Sequence, residues 1–278
     1  MLYFCHNCGT STTFGNFLKQ QDANLYTEYV QEKYLDKQAD TEVSTPDITK
    51  IVYPPYRFNS PLRDLKKISQ LDHNHPAKKY VMMRKLPAKT HHKLFYAPRF
   101  KAWINSIIPR KFEVEDGDEP RLIIPFIDKD GYCYGIQGRS FRKTGIRYIT
   151  IMFDEDKPKL FGLDTVDFDK PVFVVEGPLD SLFVENCIAM AGSDVSVDLI
   201  PSNNITFVYD NEPRNLQIVS KMEKVIKAGH GIVIWPDGIV QKDINDMILD
   251  GINAQKLISS NIYKNLGAEM KLMQWKRI

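Results

Sequence analysis

VFVVEGPLDSLFV, residues 172–184, and ITFVYDNEPRN, residues 205–215, each carry an apolar run straight into acidic residues. Both runs are β-branched and aromatic without alternation, the pattern of strands covered on both faces in a parallel sheet. Glu176-Gly177 predicts a tight turn at the end of the first strand, and Asp180 opens a helix. Asp210 and Glu212 follow the second strand two residues apart, so an extended backbone would aim both carboxylates the same way. Ligands of open α/β sheets sit beyond the carboxyl ends of the strands. Glu176, Asp180, Asp210 and Glu212 are therefore expected to converge, and carboxylates that close repel one another unless a cation lies among them. An all-oxygen donor set suits a hard ion, Mg²⁺ or Mn²⁺, that keeps waters and bridges to phosphates, which points to phosphoryl-transfer chemistry.

A third acidic element, KDINDMI, follows the predicted strand GIVIW (residues 231–235) and holds Asp243, Asn245 and Asp246. Asp243 reads equally as the cap of a helix beginning at Ile244 and as support for the metal site.

Charge is distributed unevenly although the net value is only +2. Residues 61–160 carry 21 Lys or Arg against 12 Asp or Glu, and residues 171–255 carry 5 against 12. A basic module ahead of an acidic one suits a polyanion held by the first and processed at the second. Arg139, Arg142, Lys143 and Arg147 gather near the end of a predicted hairpin turning at Asp130-Gly131, with Lys157 and Lys159 in the next loop. Arg139, Lys143, Arg147 and Lys159 are the candidate phosphate contacts. Tyr132, Tyr134, Phe141 and Tyr148 are candidate stacking groups, with at least half expected in the core by alternation.

The 278 residues, 43% of them hydrophobic, allow about two domains. No run approaches the roughly 18 apolar residues of a membrane span, and the N-terminus lacks a signal-peptide layout, so a cytoplasmic protein with no membrane partner is expected. Residues 1–40 read as strand, Cys5-x-x-Cys8 knuckle, strand or turn, and a helix over 22–37; residues 41–60 read as a linker. A basic α+β subdomain is expected over 61–170, with a helix starting near Pro76 and stopping before Pro87. A metal-binding subdomain of alternating strands and helices follows over 171–253, and a helical tail over 254–278. Cys133 and Cys187 sit in apolar runs and read as packing residues. His73 and His75 read as turn residues.

EGPLDS, VYDNEP and KDINDM resemble the three motifs of a Toprim domain. Upstream, RLIIPFIDKDGYCYGIQGRSF, RYITIMF and KLFGLD resemble the basic half of a bacterial-type primase core, and FCHNCG with FGNFLKQQDANLYTEYV resembles the end of a primase zinc ribbon. The three modules stand in primase order over nearly the whole chain, and the DNEPR string is most similar to the primases of T-even-type tailed phages. The resemblance implies a mostly parallel Toprim-type α/β sheet, preceded by a basic α+β primase subdomain and a partial zinc-ribbon knuckle. It implies synthesis of short RNA primers on a single-stranded DNA template from ribonucleoside triphosphates, in the cytoplasm of an infected bacterium. Mg²⁺ would fall on Glu176, Asp210 and Glu212, with Asp180 in the same motif. It also implies a separate hexameric replicative helicase as partner, consistent with a sequence that has no G-x-x-x-x-G-K-[ST] loop.

The chain departs from the pattern at the ribbon. A structural zinc site needs four ligands, and only Cys5 and Cys8 are present here. Zn²⁺ is expected only if an upstream Cys pair completes the ribbon, with Met1 then internal to a longer frame; the other reading is that zinc has been lost. A Toprim nuclease, or a noncatalytic helicase or single-strand-binding accessory, are the rival functions.

Overall fold

The structure, a computed structural model, describes residues 2–4, 11–14, 18, 22, 25–29, 60–113, 118–142, 145–192, 200, 202 and 204–278. The chain divides into two compact units, Met1–Tyr53 and Pro54–Ile278. In the first, β1 (Leu2–Phe4) pairs antiparallel with β2 (Ser11–Thr13), Leu2 opposite Thr13 and Phe4 opposite Ser11. The two strands stand where the sequence places a strand and a strand or turn. Cys5 and Cys8 lie in the connection, outside the described residues, as do residues 41–59 of the linker expected over 41–60. Residues 25–29 are helical, and the Phe14 ring meets Tyr29 edge to face at 5.5 Å.

The second unit holds two sheets. The first is wholly antiparallel, in the order β3 (Lys66–Lys67), β4 (Phe95–Ala97), β5 (Arg121–Ile127), β6 (Cys133–Ser140), β7 (Tyr148–Met152). Asp130-Gly131 makes the turn between β5 and β6: Gly131 takes φ +81°, and its N–H donates to the Asp128 carbonyl at 3.0 Å. The helix Phe100–Ile107 covers one face, packing Phe100 and Ile104 on Ile123, Ile136 and Ile151. Phe100 lies so low on the sheet that a Cβ at Gly138 would come within 2.6 Å of its ring. On the other face Leu122, Ile124, Phe126 and Tyr134 join the larger core of the unit. With both faces covered, every residue of β6 is buried.

The second sheet runs β13 (Ile262–Tyr263), β12 (Gly231–Val233), β11 (Ile205–Val208), β9 (Val172–Val175), β10 (Cys187–Met190), β8 (Leu160–Phe161). Its four central strands are parallel and its two edges antiparallel, the mostly parallel α/β layer that the apolar runs predict. The helix Leu216–Lys227 lies on it, buried along Ile218, Val219, Met222, Val225 and Ile226 at helical spacing. Each such side chain contributes about 1.5–3 kcal/mol when fully buried. Asn215 starts this helix, its side-chain oxygen accepting the N–H groups of Gln217 and Ile218 at 3.0 and 3.4 Å.

The sheet takes β8 from before residue 171 and β13 from after 253, so β13 interrupts the expected helical tail between the helices Ala254–Ser260 and Asn265–Trp275. Edge strands of two residues are too short to show a period in the sequence. Val174, Phe207 and Ile232 also share one core with Leu122 and Ile124, so the spans 61–170 and 171–253 are not separately packed. Among the described residues no helix is long and apolar enough to cross a membrane.

Candidate active site

The register of the parallel strands sets the site. Val175 of β9 stands opposite Val208 of β11, so the two chains leave the sheet at the same level with Glu176 and Asp210 close behind. The short helix Pro178–Ser181 then returns Asp180 to the strand end, where its Oδ1 accepts the Asn245 N–H at 3.1 Å. Asp243 caps the helix Ile244–Leu249, accepting the Asp246 N–H at 2.7 Å, and its charge also acts on Asp180 and Asp210. The cap reading of Asp243 is thus the one observed directly.

The electrostatics follow from this crowding. Burial, together with repulsion from Glu176, Asp180 and Asp243, pushes the Asp210 carboxyl up to about 7. Burial and repulsion from Asp243 push Asp180 up to about 6, against the opposing pull of Arg84, the Asn245 N–H and Arg139. Two lysines close the rim: Lys221 Nζ lies 3.3 Å from Glu176 Oε1, and Lys242 Nζ lies 3.2 Å from Glu212 Oε1.

Glu212 does not follow the extended path expected of it. The chain turns after Asp210, with the Glu212 N–H donating to the Asp210 carbonyl at 2.9 Å, and the Glu212 carboxylate faces Lys242 and the Asn215 amide instead. The turn is built by Asn211, which sequence reasoning missed. Its amide donates to the Ile239 and Gln241 carbonyls at 2.9 and 3.1 Å, its N–H donates to Lys242 O at 2.7 Å, and its Oδ1 accepts the Trp275 indole N–H at 3.2 Å. The loop that ends in Asp243 is thereby tied to the end of β11. Trp235 adds a second tie, its buried indole donating to the Tyr209 carbonyl at 2.8 Å.

Across the cluster stands a basic and aromatic group from the antiparallel sheet and the helix Pro76–Met83, which ends short of the predicted Pro87 limit. His75 caps that helix, its Nδ1 accepting the Ala77 N–H at 3.2 Å. Arg84 follows it, and the carbonyl of Arg84 accepts the side-chain amide of Asn245 at 2.7 Å. Arg139, a candidate phosphate contact, is buried because β6 is covered on both faces; its guanidinium donates to the Tyr80 hydroxyl and lies 4.8 Å from the Tyr148 ring centroid. Arg147 is exposed over the same Tyr148 ring at 5.8 Å. Lys159 is exposed beside β8 at the edge of the other sheet, and Lys143 lies outside the described residues. Of the four aromatic candidates Tyr134 is core, its hydroxyl donating to Leu160 O at 2.6 Å, whereas Tyr148 is 37% exposed.

The donor set at the strand ends fits a hard divalent ion: it is all carboxylate, it is partly buried, and Asp180 and Asp210 are pushed up by burial first and by neighbouring carboxylates second. Among the described residues no three His, Cys, Asp or Glu side chains stand close enough to chelate one ion as arranged here, with Glu176 and Glu212 each turned onto a lysine.

No protein-family model matches the sequence. The chain is 32% identical to the DNA primase of Enterobacteria phage T4 over 282 aligned positions, spanning 99% of this chain and 81% of that protein. Its fold is similar to the zinc-binding and RNA polymerase domains of the Aquifex aeolicus primase, with a TM-score of 0.54 and 20% identity over 94% of this chain and 73% of that one. It is also similar to the RNA polymerase domain of the Mycobacterium tuberculosis primase DnaG in complex with a double-stranded DNA oligomer bearing a 6-nucleotide overhang, with a TM-score of 0.55 and 17% identity over 75% and 79% of the two chains.

Proposed function

Since the chain belongs to the DNA primase family, we propose that it lays short RNA primers on single-stranded DNA by metal-dependent nucleotidyl transfer at the strand ends of its parallel sheet. The observation that supports this is the register that ends β9 and β11 at one level, with Glu176, Asp180 and Asp243 within electrostatic reach of Asp210. Divalent ions held there would supply acidification of the attacking 3′-hydroxyl and neutralisation of charge on the triphosphate. Glu176, Asp210 and Glu212 would hold the ions, with Asp180 and Asp243 completing the negative field. Arg84 and Arg139 stabilise the Asp180 carboxylate from the opposite wall. Arg147 and Tyr148, exposed on the antiparallel sheet, would meet the template, one through a phosphate and the other by stacking on a base.

Mg²⁺ or Mn²⁺ is the ion this donor set suits, and a cytoplasmic setting follows from phage replication. Zn²⁺ would need two ligands beyond Cys5 and Cys8. A separate hexameric helicase is proposed as the partner that advances the enzyme, because the sequence holds no nucleotide-binding loop of its own for unwinding.

The test is template-directed incorporation of labelled ribonucleotides on single-stranded DNA with Mg²⁺. Glu176→Gln removes a metal-binding charge without opening a cavity, so product should fall by at least about a hundredfold while thermal stability is kept. Product within twofold of the unaltered protein would overturn the metal assignment.

A further inference from the structure

The helix Asn265–Trp275 is apolar on two sides. Ala268, Leu272 and Trp275 are buried in the core, whereas Leu266, Met270 and Met273 face outward with exposures of 67%, 58% and 71%. A single exposed apolar side chain is ordinary on a protein surface. Three of them at intervals of four and three form a stripe along one face, the spacing of a seam that packs on a second helix. A helix that is apolar on both sides is expected to be covered on both. Beside the stripe a cleft of about 260 Å³ separates this helix from the helix Leu216–Lys227. Leu272 and Met273 line it, and Glu223, Lys227, Glu269 and Lys276 supply two charges of each sign. With no net charge the cleft has little to attract a polyanion, and it suits a surface that also carries both signs.

The order of the charges selects the occupant. Glu269 and Lys276 stand seven residues apart, so both flank the stripe on the same side. Laying an identical helix antiparallel, with Met270 facing Met273 of the other copy, brings Glu269 beside Lys276 of the other copy. A twofold axis then repeats both contacts, because an isologous interface pairs each residue with its counterpart in both directions. Parallel pairing of the same helices would set Glu269 beside the uncharged Gln274 and gain no ion pair. Lys276 Nζ lies 3.1 Å from Glu223 Oε1, in a pair partly exposed on both sides, and such pairs contribute little net stability. Lys276 can therefore turn to a new carboxylate at small cost.

We propose that this face docks a second copy of the chain, through antiparallel pairing of the two helices about a twofold axis between Lys271 and Leu272. Met270 of each copy packs on Met273 of the other, and Glu269 of each pairs with Lys276 of the other. A helix of eleven residues is about 16 Å long, which sets the interface at the small, transient end of specific interfaces. The dimer therefore forms reversibly, on the order of tens of micromolar. None of these residues belongs to the strand-end cluster.

Sedimentation equilibrium of the full chain, from low micromolar to submillimolar concentration, should show a reversible monomer–dimer equilibrium. Met270→Glu and Met273→Glu each put a charge into the seam at an exposed position, so association should weaken by at least about tenfold while the melting temperature is kept. Met83→Glu, at a similarly exposed methionine on the helix Pro76–Met83, should leave association unchanged. Glu269→Lys and Lys276→Glu each set like charges across the twofold axis, and each variant alone should stay monomeric. An equimolar mixture of the two should recover the dimer, because opposite charges then meet at both flanks; melting curves of each variant establish that it is folded. A chain that stays monomeric at every concentration, or a dimer that persists in Met270→Glu and Met273→Glu, would overturn the proposal. A dimer lost in both charge variants and not recovered in their mixture would overturn the antiparallel pairing.

Discussion

The Asp180 carboxylate rests against Gly177, at a point where a Cβ on residue 177 would collide with Oδ2. Gly177 has φ −97°, a value open to any residue, so the close approach of Asp180 is what calls for glycine. Gly177→Ala should therefore push Asp180 off the strand end. We expect a folded protein destabilised by about 1–3 kcal/mol, as for other overpacked sites, with primer synthesis falling more steeply than stability. Thermal melting beside a primer assay checks this, and unchanged synthesis would show that Asp180 needs no fixed position.

Asp210 gives a pH dependence with a definite sign. Its carboxyl titrates at about 7 in the folded protein against an ordinary 3.8, so folding takes up a proton between those values. The corresponding stabilisation is complete below the lower value and is lost as pH rises through the higher one. In the absence of divalent ions Asp210→Asn should melt above the unaltered protein at pH 8, by roughly 2–6 °C, and the gap should narrow toward pH 5. Adding Mg²⁺ at pH 8 should close it from the other side by stabilising only the protein that keeps the carboxylate. A gap independent of pH would mean that Asp210 is not crowded by Glu176, Asp180 and Asp243.

Arg139 and Arg147 should separate into different phenotypes. Arg147→Glu removes an exposed cation, so single-stranded DNA should bind more weakly and the slope of log K on log salt should flatten by roughly 0.7. Arg139→Met truncates a buried guanidinium that is held by Tyr80 and Tyr148, and its first effect should be a lower melting temperature. Salt-dependent binding isotherms and melting curves on both variants decide the assignment; equal salt slopes for Arg147→Glu and the unaltered protein would remove Arg147 from the template path.

Asn211→Ala should act through Asp243. The side chain ties the loop over 239–242 to the end of β11 by two donated bonds and accepts a third from Trp275, so its loss leaves the Ile239 and Gln241 carbonyls without that donor. We expect a loss of about 1–3 kcal/mol in stability and weaker Mn²⁺ binding, whereas Asn211→Asp, which keeps an acceptor for Trp275 but loses the donors, should fall between. Unaltered Mn²⁺ affinity in Asn211→Ala would show that the loop holds its place without this residue.

The parallel sheet was legible because Val172–Val175 and Ile205–Val208 are unbroken apolar runs, and a strand buried on both faces leaves no other pattern. Its strand-end carboxylates were legible for the same reason, since a run that stops at an acid marks where the sheet meets solvent. What local sequence does not show is the path of the chain beyond the strand. Glu212 is turned away by a hydrogen bond to its near neighbour, and Asp243 is brought in by Asn211 from some thirty residues earlier. Arg139 looks like any surface cation on a hairpin until Tyr80 of the helix Pro76–Met83 and Tyr148 pack against it. β8 and β13 owe their pairing entirely to the edges that receive them.

Trp235 and Trp275, two of the three tryptophans in the chain, each point an indole N–H at the turn that carries Asp210, one at the Tyr209 carbonyl and the other at the Asn211 side chain. The molecule therefore carries its own optical reporters at the place where charge changes most. Indole emission responds to nearby charge and to hydrogen bonding at nitrogen, so events at the strand ends are open to observation without a label. The remaining tryptophan, Trp103, donates to the Pro61 carbonyl on the helix over the antiparallel sheet and supplies an internal reference.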